Sequence, residues 1–162
     1  MVKFRAFDGV VTMIDDFSIG QSNEAGCYKL FSVDDRHGAM VNFVVAPTTY
    51  FVDHVMVGAG DRITGFYDAN APVPLIYPPQ FRALVMAKDT TYQSVKVDHF
   101  NRRLESSDGT LRLNIAPHTR IILENGQAFT GNIANRNLIV VYGATTRSIP
   151  AQTTPTTIIV MC

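Results

Sequence analysis

Asp53-His54 and Asp98-His99 twice place a carboxylate beside an imidazole, and His37 follows Asp34-Asp35-Arg36. A histidine next to an acid can move protons near neutral pH, and such groups can also hold zinc or iron. The spacing argues against both uses. The two pairs stand 45 positions apart, an interval unrelated to the repeat described below, and adjacent residues of a strand point to opposite faces. Surface or hairpin positions are the expectation for all three histidines.

Other chemistries lack their signatures. No G-x-S-x-G, H-E-x-x-H or Walker segment occurs, so no motif sets a nucleophile beside a base. Asp15-Asp16 and Asp34-Asp35 carry charge for a hard cation but do not approach the D-x-D-x-D-G loop that encircles calcium, and read as solvated turn residues. Cys27 and Cys162 are too few for a disulfide framework and are expected as reduced thiols. The expectation is no enzyme, no catalytic residue, no metal and no cofactor, with a small metal-dependent hydrolase as the remote alternative.

Charge is distributed unevenly. The 162 residues sum to zero, yet residues 1–90 hold seven basic and ten acidic groups, whereas 91–162 hold seven basic and four acidic. Six of the basic residues in the second half are arginines: Arg102, Arg103, Arg112, Arg120, Arg136 and Arg147. Arginine suits bidentate contacts to phosphate or carboxylate. A neutral chain nonetheless lacks the strong positive field of most nucleic-acid binders, so charges facing water, or an acidic module packed on a basic one, are preferred. Nucleic acid remains a possible partner, as do another protein or a second copy of the chain.

These residues must be positioned by β-structure. Short β-prone runs alternate with turn signals: GVVTMI at 9–14, the polar turn QSNEAG at 21–26, CYKLFSV and AMVNFVVA flanking Asp34–Gly38, and DRITGFY at 61–67. SVKVDHF at 94–100, LRLNIA at 111–116, RIIL at 120–123 and QAFTGNI at 127–133 follow, with turns at Asp108-Gly109 and Asn125-Gly126, then LIVVYG and TIIVM. Only PPQFRALVMA at 78–87 has the look of a helix start.

An internal repeat decides against that helix. Tyr67 and Tyr142, Ala69 and Ala144, Val85 and Val160, and Met86 and Met161 are all 75 apart, while Ala46-Pro47-Thr48-Thr49 recurs as Ala116-Pro117-His118-Thr119 at an interval of 70. Because TTIIV is β-branched throughout, its counterpart FRALV is predicted to be strand. The fold expected is all-β: two tandem OB-like, Greek-key β-barrel modules related by duplication, residues 1–90 and 91–162, each of roughly five strands.

The segment GDRITGFYDANAPVPLIYPPQFRALVM, with GVVTMI upstream, resembles uncharacterised bacterial β-modules that close on a Tyr-Asp-Ala-Asn and Ile-Tyr-Pro-Pro-Gln stretch. The resemblance covers mainly residues 9–86 and implies an OB-like barrel without carrying any catalytic residue across. The second half lacks the Ile-Tyr-Pro-Pro-Gln block, which puts a shared role for that loop in doubt.

OB-like barrels often bind oligonucleotides or sugars on one sheet face and its loops. The candidate ligand-binding residues are therefore Arg112 and Arg120 for a backbone, with Tyr67, Tyr77, Phe81 and Tyr142 as stacking groups. The loop PVPLIYPP reads first as a rigid cover over one barrel end, next as the rim of a ligand site, and last as a polyproline II ligand. A non-enzymatic binding or interaction protein is the expected function, with a single-stranded nucleic-acid or oligosaccharide binder as the alternative. No run approaches the ~18 apolar residues of a membrane span, and the start has no apolar stretch behind its lysine. A cytoplasmic protein is expected, a precursor with its signal peptide removed being the other reading.

Overall fold

A computed structural model describes residues 1–18 and 22–162, Ser22 by its backbone alone; Gln21, the first residue of the expected QSNEAG turn, lies outside the described residues. The chain is all-β apart from two single 3-10 turns, and it divides into two compact units, Met1–Asp89 and Thr90–Cys162.

The first unit contains β1 (Phe4–Asp16), β2 (Lys29–Asp34), β3 (Met40–Val45), β4 (Tyr50–Phe51), β5 (Arg62–Asp68), β6 (Gln80–Arg82) and β7 (Val85–Lys88). They form one sheet in the order β4-β7-β5-β1-β2-β3-β6. The long β1 pairs antiparallel with both β2 and β5, and an irregularity between Val11 and Met13 shifts its register against β2. Strand β3 alternates strictly, sending Val41, Phe43 and Val45 inward, and these meet Val11, Phe31, Val33, Ile63 and Met86 in the core. Each such side chain removed from water contributes about 1.5–3 kcal/mol. Residues 78–87 hold β6 and β7, so strand prevails over helix there.

The second unit contains β8 (Ser94–Phe100), β9 (Leu111–Leu113), β10 (Arg120–Leu123), β11 (Arg136–Tyr142), β12 (Ala151–Thr153) and β13 (Thr157–Val160). A four-stranded sheet runs β10-β13-β11-β8, and β12 pairs with β9 alone. Consecutive residues Leu138–Val141 and Ile158–Val160 are buried, the pattern of strands covered on both faces. Their core joins Phe100, Leu111 and Leu113. The run 127–133 is not a strand: after the Asn125-Gly126 turn, where Gly126 takes φ 86°, only Ala128 bridges back to Ile122. The turn chemistry is present, but the polar Thr-Gly-Asn that follows has no strand to pair with.

The three separate sheets, and four parallel ladders among the ten of the described residues, are features of a β-solenoid rather than of two closed barrels. The sheets by themselves therefore carry the all-β class and not the finer architecture.

The registers also correct the repeat. Phe66 pairs with Val85 in the first unit and Val141 with Thr157 in the second. The first partners of these two pairs stand 75 apart and the second 72, so the ladder position of Val85 is matched by Thr157 and not by Val160. The same interval links Leu84 N→Phe66 O (2.8 Å) to Thr156 N→Val141 O (3.0 Å). The cis bonds Tyr77–Pro78 and Ile149–Pro150 also stand 72 apart. Val85 and Val160 thus occupy different ladder positions, opposite Phe66 and Leu138.

Candidate functional site

The site worth building lies in the first unit, where β5 hands over to β6. Asp68 ends β5, and its carboxylate accepts hydrogen bonds from the backbone N–H groups of Lys3 (3.0 Å) and Asn70 (2.9 Å). These bonds, that from Lys3 foremost, hold its pKa below the usual carboxylate range. With Ala71 N donating to Asp68 O (3.2 Å), the Asp-Ala-Asn turn throws the chain outward. Pro72, Pro74, Pro78 and Pro79 then deny the loop the donors it would need to join a sheet.

The loop is exposed over residues 71–77, with Leu75 at 102% and Tyr77 at 79% relative exposure. It does not seal a barrel end, contrary to the reading as a cover, because its apolar side chains face water and not the core. Between it and the sheet lies a half-open pocket of about 310 Å³. Val2, Asp68 and the loop residues Ala71, Pro72, Val73 and Pro74 line it, with Val44 of β3, Gln80, Phe81 and Arg82 of β6, and Leu84. Arg82 is exposed, and among the described residues its guanidinium meets the neutral Thr48 Oγ1 alone (3.3 Å). In the ladder position facing Gln80, Asn42 Oδ1 is buried without a hydrogen-bond partner.

The expected stacking residues divide. Tyr67 and Phe81 lie face to face, ring centroids 4.0 Å apart and 13° between planes, and both pack against the core. Tyr77 is the exposed one, on the loop. Arg112 is exposed on β9 and Arg120 opens β10, donating its backbone N–H to Thr156 O (3.0 Å). Tyr142 ends β11 half-buried, and burial, with the charge of Asp108, pushes its hydroxyl pKa up.

In Asp98-His99 the two side chains turn to different partners. Asp98 is buried, and its carboxylate accepts from the backbone N–H of His99 (2.8 Å) and of Asp108 (3.2 Å). The His99 ring turns to Asn137 Oδ1, 3.1 Å from its Nδ1. Asp53 and His54 are exposed at positive φ, with the His54 ring 5.7 Å from that of Tyr50. Asp34 and Asp35 close their own turn, accepting from Arg36 N (2.7 Å), and from His37 N (2.7 Å) and Ala39 N (3.0 Å). Among the described residues no three His, Cys, Asp or Glu side chains gather as a metal set, and both cysteines are free and exposed.

Sequence reasoning missed a polar cluster in the second unit. Asp108 takes hydrogen bonds from Ser106 Oγ (2.7 Å) and Thr110 Oγ1 (2.8 Å) and pairs with Lys96. Its only sequence signal was the Asp-Gly turn. Ser106 Oγ also accepts Leu111 N (3.0 Å), so its hydroxyl holds the turn together.

No helix among the described residues is long and apolar enough to cross a membrane. Compared with family models, curated proteins and solved structures, the chain matches none.

Proposed function

We infer that the chain is a non-enzymatic binding protein made of two OB-like β-barrel units that arose by duplication, and that the first unit binds a partner at its 71–79 loop. The observation that carries the binding reading is the loop itself. Leu75 and Tyr77 stand in water on a proline-braced segment that overhangs a 310 Å³ pocket, and apolar side chains held rigidly beside a cleft are what a binding surface needs.

The barrel reading draws on connectivity. In the first unit β1 pairs with β2 and β5, β3 pairs parallel with β6, and β5 pairs antiparallel with β7. Only Ala83 and Leu84 separate β6 from β7, so counting them as one bent strand brings the sheet back to β5 as a five-stranded ring. The three sheets and four parallel ladders favour a solenoid, whose coils stack through parallel ladders; the barrel reading rests on the longest ladders, which are antiparallel. Duplication is supported by Thr49 Oγ1→Ala83 O (2.8 Å) and Thr119 Oγ1→Pro155 O (2.7 Å), a shared corner bond at intervals of 70 and 72.

A second reading has its own observation. Arg102, Arg103, Arg112, Arg120 and Arg147 are exposed, and none forms an ion pair among the described residues. Such cations suit the phosphates of a single-stranded nucleic acid.

A thermal-shift screen of peptides, single-stranded oligonucleotides, oligosaccharides, nucleotides and divalent metals at two salt concentrations tests both. A ligand at a hundred times its Kd adds about 2.7 kcal/mol of stability. Stabilisation that Leu75→Asp abolishes supports the loop reading. Salt-sensitive stabilisation by oligonucleotides that is lost in Arg112→Ala/Arg120→Ala supports the second and sinks the first.

A further inference from the structure

The two units treat one strand edge differently. In a parallel ladder, alternate residues turn their own N–H and C=O toward the neighbour and the residues between turn them away. Asn42 N donates to Pro79 O (2.8 Å) and Ala83 N to Val44 O (3.0 Å), so Gln80 and Arg82, paired in register with Asn42 and Val44, direct their backbone groups to the outer edge of β6. Outside the ladders, no backbone hydrogen bond to Gln80 or Arg82 occurs among the described residues.

Gln152 of β12 is the counterpart of Gln80 at the interval of 72, and it pairs with Arg112 as Gln80 pairs with Asn42. There the outer edge is occupied. Thr146 N donates to Gln152 O (2.9 Å), Gln152 N donates to Thr146 Oγ1 (2.9 Å), and Thr153 Oγ1 donates to Ala144 O (2.8 Å). The chain itself, just past Tyr142, covers its own strand edge.

In the first unit the corresponding segment cannot do so. The run from Tyr67 to Pro78 is three residues longer than that from Tyr142 to Pro150, and the Asp68 turn carries it outward. What stands between the loop and Gln80–Arg82 is the pocket.

We propose that the outer edge of β6 at Gln80 and Arg82 is a peptide-binding site, which takes an extended segment of a partner chain carrying a small residue, a serine or threonine, and an acidic residue. The segment adds to the edge as 144–146 does in the second unit: its hydroxyl residue engages Gln80, and its small residue fits under the proline wall. The acidic residue follows from charge, because among the described residues Arg82 on the pocket rim has only a neutral partner. By the running direction of 144–146 against 152–153, it sits one residue before the small one. The proposal rests on the binding reading above and names its partner class.

The probes are fluorescein-labelled peptides of residues 142–148 of this chain, one with Gly143→Glu and one with Gly143→Lys, titrated onto the full chain by anisotropy. The glutamate probe should bind about fivefold more tightly than the lysine probe, the size of one exposed ion pair. Arg82→Glu should reverse that order while both peptides still bind. Hydrogen exchange supplies a readout that needs no variant: the Gln80 and Arg82 amides should exchange freely alone and be protected with the glutamate probe. Absence of binding by either probe at millimolar concentration overturns the proposal. So does binding that leaves those two amides unprotected, or a preference unmoved by Arg82→Glu. If the probes fail while the thermal-shift screen still yields a ligand lost in Leu75→Asp, the edge site falls and the binding reading stands.

Discussion

Tyr67 and Phe81 stack at 4.0 Å, clamping the end of β5 onto β6 beside the pocket. Phe43 lies 6.2 Å from Tyr67 on the core side, so the stack is tied into the interior. Phe81→Ala should therefore cost about 2 kcal/mol, less than a fully buried phenylalanine, and Phe81→Leu about half of that. Urea denaturation reads both, and an unchanged midpoint for Phe81→Ala would show that the stack does not hold the site.

Thr119 is buried and spans a corner: its hydroxyl donates to Pro155 O at 2.7 Å and stands 3.4 Å from Ala116 N. Thr119→Val keeps the shape and strands the buried Pro155 O and the half-buried Ala116 N–H, at a cost of about 1–3 kcal/mol. Thr49→Val breaks the matching bonds in a more exposed corner and should cost less. Thr119→Ser should restore most of the loss in the same denaturation experiment.

Two glycines are held by close approach. A Cβ at Gly65 would meet the Phe43 ring at 2.6 Å, and one at Gly9 would meet Asp34 O at 2.4 Å. Each alanine substitution should destabilise by about 1–3 kcal/mol. Adding Phe43→Leu should recover part of the Gly65→Ala loss, since a side chain is the obstacle there, and none of the Gly9→Ala loss, where the obstacle is backbone. A double-mutant cycle separates the two cases.

Asp108 gives the second unit a pH dependence. Burial by itself would raise its pKa, but Lys96 and the hydroxyls of Ser106 and Thr110 outweigh it and hold the carboxyl well below the ordinary range. A depressed folded-state pKa contributes stability above the unfolded value of about 4, and that stability is lost as pH falls through the folded value. The native chain should thus exceed Asp108→Asn in stability by a constant margin at pH 6–8, and the margin should shrink below about pH 4. Both partners are partly exposed, so added salt should narrow it as well. A margin independent of pH would assign the effect to packing.

Leu75→Asp and Tyr77→Ser alter side chains that touch water, so each should change stability by no more than about 0.5 kcal/mol. Ligand-induced stabilisation should nevertheless disappear. Calorimetry with and without the ligand distinguishes that outcome from a folding defect.

Local chemistry was legible in the amino-acid order. The β-branched TTIIV and alternating MVNFVV can bury one face or two only as strands, and both are strands. Asp34, Asp35 and Asn125 each bond a backbone N–H two residues on, which short polar side chains do without help from distant residues. Strand alternation applies to Asp98-His99 on β8, whereas Asp53-His54 stands in a 3-10 turn that the sequence did not announce.

What only the tertiary structure decided involves partners far apart in sequence. Four identities at an interval of 75 aligned Val85 with Val160, and the ladders moved the match by three residues, because register is set by cross-strand bonding and burial. Composition could not show whether PVPLIYPP covers a core or stands in water, since that depends on where the Asp68 turn sends it. Nor could it show that the edge at Gln152 is covered while the edge at Gln80 is open. Each glutamine sits in a parallel ladder, yet the chain past Tyr142 bonds to Gln152, whereas outside the ladders no backbone hydrogen bond reaches Gln80 among the described residues.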